Sequence, residues 1–206
     1  MRGYYVHMKN TAAVEFVNIS KVFKSKHAIK NLNLTLPKEK ITTIIGPSGC
    51  GKSTTLKMIN KLIVPDEGNI FIDGQDIGLM DSVNLRRNIG YVIQQIGLFP
   101  LMTIEENISI VPRLKGEKKE EIKDRVTELL NLIGLDPEQY RYRYPSEISG
   151  GQQQRIGVAR ALCADPSIIL MDEPFSALDP ISRVQLQDEL ISLQKKTAKN
   201  DYLCDS

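Results

Sequence analysis

The run Gly46-Pro47-Ser48-Gly49-Cys50-Gly51-Lys52-Ser53, with Thr54 beside it, fits the spacing G-x-x-x-x-G-K-S/T. Its glycines let the backbone curl so that successive N–H groups point inward at phosphate oxygens. A helix beginning near Lys52 adds its positive N-terminal end. Lys52 can neutralise charge on the β- and γ-phosphates of a nucleotide, and Ser53 can place a hydroxyl on Mg²⁺. The chemistry expected of this loop is the binding of ATP or GTP.

A second acidic site lies far along the chain. Ile168-Ile169-Leu170-Met171-Asp172-Glu173 is an apolar run that delivers two acids at its C-terminal end. In parallel α/β sheets that end of a strand is where ligands sit. Asp172 suits the coordination of Mg²⁺, which keeps waters and takes one or two carboxylates. Glu173 is then free to polarise a water in line with the γ-phosphate. An apolar run ending in Asp-Glu is a weak signal alone; the loop at 46–53 gives it meaning.

The elements that must hold these groups are legible as periodicities. Val14-Glu15-Phe16-Val17-Asn18-Ile19 and Ala28–Leu36 read as strands, the second with Leu32, Leu34 and Leu36 on one face. Ile41–Ile45 is a β-branched buried strand that ends at Gly46. Lys52 to Leu62 reads as a helix, and Asn69–Ile72 as a strand meeting the hairpin dipeptide Asp73-Gly74. From Glu117 to Ile133 the apolar positions Ile122, Val126, Leu129, Leu130 and Ile133 give an amphipathic helix closed by Gly134. Gln152 to Cys163 is helical, Ser167–Met171 is a buried parallel strand, and Ile181 to about Lys195 is helical again. The expected fold is α/β with a mostly parallel central sheet, an N-terminal antiparallel β portion, and an inserted helical portion over about 100–160.

Composition narrows the setting. The chain has 206 residues, enough for one domain with an inserted subdomain, and is 41% hydrophobic and 25% charged. Its 27 Lys and Arg against 25 Asp and Glu leave a net charge of +2. That gives no long-range pull towards nucleic acid or anionic lipid, so nucleic acid is not an expected partner and membrane association is expected through a protein. No apolar run approaches the roughly 20 residues of a membrane span, and Met1–His7 lacks the apolar stretch of a secretory signal. Cys50, Cys163 and Cys204 read as reduced thiols in the cytoplasm.

Ile148-Ser149-Gly150-Gly151-Gln152-Gln153-Gln154-Arg155 resembles the signature sequence of ABC ATPases, with Ile148 where Leu is commoner. Physically, Ser149, Gly150 and Gly151 expose backbone N–H groups at a helix start, with Gln152 next to them, as a second anion site. The resemblance implies that this site faces the γ-phosphate bound by a partner subunit, in a head-to-tail dimer with two shared ATP sites. It implies further that Phe23 stacks on adenine. It places Gln94, preceded by Tyr91-Val92-Ile93 and followed by Gln95, on Mg²⁺ and in communication with a transmembrane partner. The loop Ser176-Ala177-Leu178-Asp179 would cross the dimer interface. The resemblance spans about residues 14–196 and implies a P-loop NTPase core that hydrolyses ATP with Mg²⁺, Lys52 and Glu173 being catalytic. Gln94–Pro100 and Met171–Pro180 look like importer subunits, most like those for osmoprotectants such as glycine betaine, carnitine or choline. Transmembrane permease subunits and, indirectly, a solute-binding protein are the implied partners, at the cytoplasmic face of the cell membrane. A non-transport ABC ATPase is the alternative within the family, and a catalytically impaired remnant a further one.

The tail departs from that pattern. The family continues after the helix at 181–195 with an apolar strand and a histidine that contacts the γ-phosphate. Here Lys196–Ser206 shows neither, and His7 and His27 lie too early to serve. With codons chosen within the code's degeneracy, removal of one A from an A-rich run turns these residues into Lys-Leu-Gln-Lys-Thr-Ile-Ile-Phe-Val-Thr-His. The expectation is a domain over 14–196 with an out-of-family, frame-shifted tail over 197–206, a core sheet lacking its last strand or strands, and weak nucleotide turnover.

Overall fold

Turn chemistry sets the first layer. A computed structural model describes residues 12–94, 97–175, 179–197 and 201–205. β1 (Ala12–Phe23) and β2 (Lys26–Pro37) form an antiparallel hairpin whose two linking residues, Lys24 and Ser25, both take positive φ, 45° and 66°. That twist matches the strands it joins. The same device closes β4 (Glu67–Ile72) onto β5 (Gln75–Asp76) through Asp73 and Gly74, at φ 50° and 78°. The four strands make one antiparallel sheet in the order β2-β1-β4-β5.

A parallel sheet forms the second layer. Its strands are β3 (Ile41–Ile44), β6 (Ile89–Val92), β7 (Ile168–Asp172) and β8 (Asp201–Asp205), in the spatial order β3-β8-β7-β6. Helix α1 (Lys52–Ile59) follows β3, and α2 (Ser82–Arg87), capped by Asp81, precedes β6. Between β6 and β7 the chain makes α3 (Ile104–Lys115), α4 (Lys119–Leu132), α5 (Pro137–Tyr140) and α6 (Gly150–Leu162). Helix α7 (Pro180–Thr197) joins β7 to β8.

β8 corrects the reading of the tail. The chain after α7 pairs in parallel with both β3 and β7, Tyr202 standing opposite Ile41 on one side and Ile169 on the other. The apolar signal expected of a central strand is weak in Asp-Tyr-Leu-Cys-Asp. Pairing depends on backbone N–H and C=O groups, and two flanking strands with open ladders supply both sets of partners. The helix-then-parallel-strand crossover returns the chain to the same sheet, so local sequence is overridden by position.

Alternation along β7 divides the interior in two. All five of its residues are buried. Ile168 and Leu170 pack with α1 and the antiparallel sheet, in a core containing Val14, Phe16, Leu56, Ile59 and Ile70. Ile169 and Met171 face the other way, into a core with Ile104, Ile108, Val126, Leu130, Ile156 and Leu186. A strand buried on both faces must be apolar throughout, which is why this run shows no polar alternation. The period of two then aims Asp172 at the α1 side, with Ile168 and Leu170.

One buried polar side chain shapes the start of the helical insertion. Asn107 on α3 is fully buried. Its Oδ1 accepts from the N–H of Phe99 at 2.8 Å, and its Nδ2 donates to the carbonyls of Phe99, Met102 and Thr103 at 3.1, 3.0 and 3.0 Å. An irregular loop can lie against a core only if its backbone groups find partners, and this amide supplies them.

Candidate nucleotide-binding site

The phosphate loop is strand, glycine turn and helix in the order its sequence requires. Gly49 and Gly51 take φ 81° and 103°. At Gly51 the restriction is also steric, since a Cβ there would stand 2.8 Å from the carbonyl oxygen of Ala28. Gly51 is the residue before α1 and, having no side chain, provides no side-chain cap. Pro47, Ser48, Gly49 and Cys50 are exposed, whereas Lys52, Ser53 and Thr54 are half-buried. The Lys52 ammonium folds back on the loop and donates to the carbonyl of Gly46 at 2.8 Å.

The two acids meet the loop as the alternation of β7 dictates. Asp172, 1% exposed, accepts the Ser53 hydroxyl at 2.8 Å. Around its other oxygen stand the Tyr91 hydroxyl at 3.5 Å and the Lys57 ammonium at 3.9 Å. Glu173, one residue on, leaves the strand at φ 48°, an uncommon conformation for a side-chain-bearing residue. That turn sends its carboxylate to Gln94, whose Nε2 donates to Oε2 at 2.8 Å. Ser53 and Asp172 are hard oxygen donors already in contact, and Gln94 meets Glu173, the residue after Asp172; these oxygen-bearing side chains fit a small divalent cation such as Mg²⁺.

Lys57 and Tyr91 were not anticipated. Lys57 had a signal, because it lies four residues after Ser53 on the same helical face. Tyr91 had none, because its place beside Asp172 follows from the pairing of β6 with β7, where Tyr91 stands opposite Leu170.

The remaining anticipated residues fall elsewhere. Phe23 ends β1, exposed, with the Lys21 ammonium 5.4 Å from its ring centre. It belongs to the hairpin whose second strand brings Ala28 against Gly51. Ser149 caps α6, its hydroxyl accepting from Gln152 N–H at 3.3 Å while the Gln152 side chain accepts from Ser149 N–H at 2.9 Å. Gly150 and Gly151 open that helix. It packs on α3, α4 and β6, whereas α1 packs on β7 and β8. The two glycine-led helix starts therefore belong to different halves of the fold. Asp179 directly precedes α7, its carboxylate accepting from Ile181 N–H at 3.1 Å. Ser176, Ala177, Leu178 and Gln95 lie outside the described residues, as does Ser206. Among the described residues no helix is long and apolar enough to cross a membrane.

Known proteins share this sequence and fold. The chain is 54% identical over 195 residues to the osmoprotectant import ATP-binding protein OsmV of Salmonella typhimurium, covering 92% of this chain and 51% of that protein. It is 59% identical over 183 residues to the choline transport ATP-binding protein OpuBA of Bacillus subtilis, covering 88% of this chain and 48% of that one. The chain thus spans about half the length of the curated relatives it matches. Among solved structures, the dimeric post-hydrolysis state of the ATP-binding cassette MJ0796 with ADP and Pi superposes with a TM-score of 0.84 at 36% identity, covering 93% of this chain and 87% of that one. The sequence profile described as ABC transporter matches residues 29–176, and the chain belongs to that family.

Proposed function

We propose that this chain is an ATP-hydrolysing subunit of an ABC importer for quaternary-amine osmoprotectants. The observation that carries the ATPase reading is the double pairing at the end of β7, Ser53 with Asp172 and Gln94 with Glu173, beside the glycine-led N-terminus of α1. Lys52 would exchange its carbonyl partner in the loop for phosphate oxygens. Ser53, Asp172 and Gln94 would hold Mg²⁺. When bound, the metal neutralises charge on the β- and γ-phosphates. Glu173 would accept a proton from the attacking water, its carboxylate placed by Gln94. Phe23 would stack on the adenine.

The importer reading is supported by the relatives, which are named for osmoprotectant and choline transport. The partners are a second ATP-binding subunit in a head-to-tail dimer, with Asp179 at the interface and Ser149, Gly150, Gly151 and Gln152 towards the partner's nucleotide. They include transmembrane permease subunits and, through them, a solute-binding protein. The chain would then sit at the cytoplasmic face of the membrane.

The test is phosphate release and nucleotide binding on the full chain and two variants. Glu173→Gln is expected to keep ATP affinity and to lose at least about 100-fold in turnover, the scale of a lost general base. Lys52→Ala is expected to lose on the order of 100-fold in affinity, a charge-assisted bond. Equal turnover by the parent chain and Glu173→Gln overturns the hydrolytic role. Uptake of glycine betaine, carnitine and choline with the co-purified permease tests the transport role.

A second reading, nucleotide occupancy without turnover, is favoured by the tail, which supplies a strand but no histidine. Replacing Lys196–Ser206 by the residues of the shifted frame restores the histidine. Faster phosphate release by that version supports this reading.

A further inference from the structure

We infer that Gln154 is a positioning residue that couples the signature helix α6 to the Glu173 turn, an inference resting on the ATPase reading above. Gln154 lies five residues into α6 from its Ser149 cap and is 1% exposed. Its Nε2 donates to the carbonyl of Pro174 at 2.8 Å. Only the nitrogen can serve a carbonyl, so the orientation of the amide is fixed by the contact itself. Pro174 follows Glu173 directly, and the Glu173 carboxylate is held by Gln94. One side-chain bond thus reaches from the helix that presents Ser149, Gly150 and Gly151 to the segment that aims the proposed base.

Among the described residues the other half of the amide has no partner: Gln154 Oε1 is buried and receives no hydrogen bond. Its side chain borders a narrow gap formed with Val92, Ile93, Gly157 and Arg160. An apolar side chain of the same length would remove the unmatched acceptor and strand the buried Pro174 carbonyl, two opposed effects that leave the amide little net stabilisation. Stability therefore does not explain the amide, whereas the tether to Pro174 does. A second contact lies six residues along α6: Arg160 donates to the carbonyl of Gly97 at 2.8 Å, on the segment after Gln94. Helix α6 is accordingly tied at two points to the two segments whose side chains meet as Gln94 and Glu173. A shift of α6 moves both, and Gln154 carries the half that belongs to the base.

The test uses the full chain with Gln154→Met, which keeps length without a donor, and Gln154→Glu, whose protonated form restores one. Melting temperature, affinity for a fluorescent ATP analogue, phosphate release, and amide exchange across 149–162 with and without ATP are measured. Gln154→Met is expected to melt within a few degrees of the parent and to bind the analogue within about twofold. Its turnover should fall about 10-fold or more, the cost of a displaced reactive group, and ATP should no longer alter exchange in α6. In Gln154→Glu, turnover relative to the parent should rise as pH is lowered from 8 to 6, since the protonated carboxyl donates to Pro174 as the amide did. Gln154→Met shows no such recovery. Unchanged turnover in Gln154→Met overturns the coupling, as does a collapse of its melting temperature, which makes the amide a packing group. A parent chain that binds but does not hydrolyse overturns the ATPase reading alone. Exchange then decides the coupling: α6 indifferent to ATP in the parent rejects it, and ATP-dependent exchange lost in Gln154→Met supports it.

Discussion

The molecule holds two glycine-led helix starts, and they are finished differently. α1 begins at Gly51, in a left-handed conformation with no side-chain cap. α6 begins at Ser149 with a closed capping box, Ser149 and Gln152 each satisfying the other's backbone. The second is complete by itself and offers Gly150 and Gly151 at its surface. The two starts thus differ in their capping residue, a glycine in one and a serine in the other.

The contrast can be broken most strongly at the sheet behind the first helix. Leu203→Pro removes a ladder N–H from the middle of β8, which pairs on both sides. The expected cost is ~3 kcal/mol or more, read as loss of the native transition and of ATP-analogue binding. Next, Gly51→Ala should cost about 1–3 kcal/mol, since its φ of 103° and the Ala28 carbonyl 2.8 Å away leave no room for a methyl. Gly150→Ala, with no atom of the described residues within 4 Å of the new carbon, should stay within about 0.5 kcal/mol of the parent in urea unfolding. Ser149→Ala opens the capping box and should cost about 1 kcal/mol. That is a fall of about 2–4 °C in melting temperature for a chain of this size, with analogue binding by the isolated chain unchanged.

The smallest effect concerns the far end of the second helix and appears only in alkali. Burial pushes the Cys163 thiol up from 9.0 to about 12. Its raised value means that the folded state favours the neutral thiol. That contribution is present in full below pH 9 and is lost as pH rises towards about 12. A Cys163→Ser chain should show a shallower loss of stability over that window in pH-dependent urea unfolding.

What was legible in the sequence follows a physical line. The loop at 46–53 could be read because nearly every position is constrained by its own backbone or by a phosphate, and Asp172 because an apolar run buried on both faces ends in an acid. Helix α3 was not read, although Thr103 and Glu106 form a capping box at its start, because Pro112 and a broken apolar repeat obscure its period. The work of Asn107 was invisible, since an isolated Asn carries no sign of the four backbone groups it will meet. β8 was misjudged because its local residues are poor evidence and its neighbours lie far away in sequence. Gln154 sits inside a motif read for its glycines, and the carbonyl it serves belongs to another element.

That distance has a consequence for how the chain is made. Ile41 of the strand that launches the phosphate loop is paired with Tyr202, so β3 emerges from a ribosome well before its neighbour exists. At roughly 5–20 residues per second, the interval is on the order of ten seconds or more. During it the antiparallel hairpin of β1 and β2 and the helices from α3 to α6 can form from contacts within their own stretches of sequence. The strand that leads into the cradle for phosphate is then completed only after the distant segment 201–205 has been made.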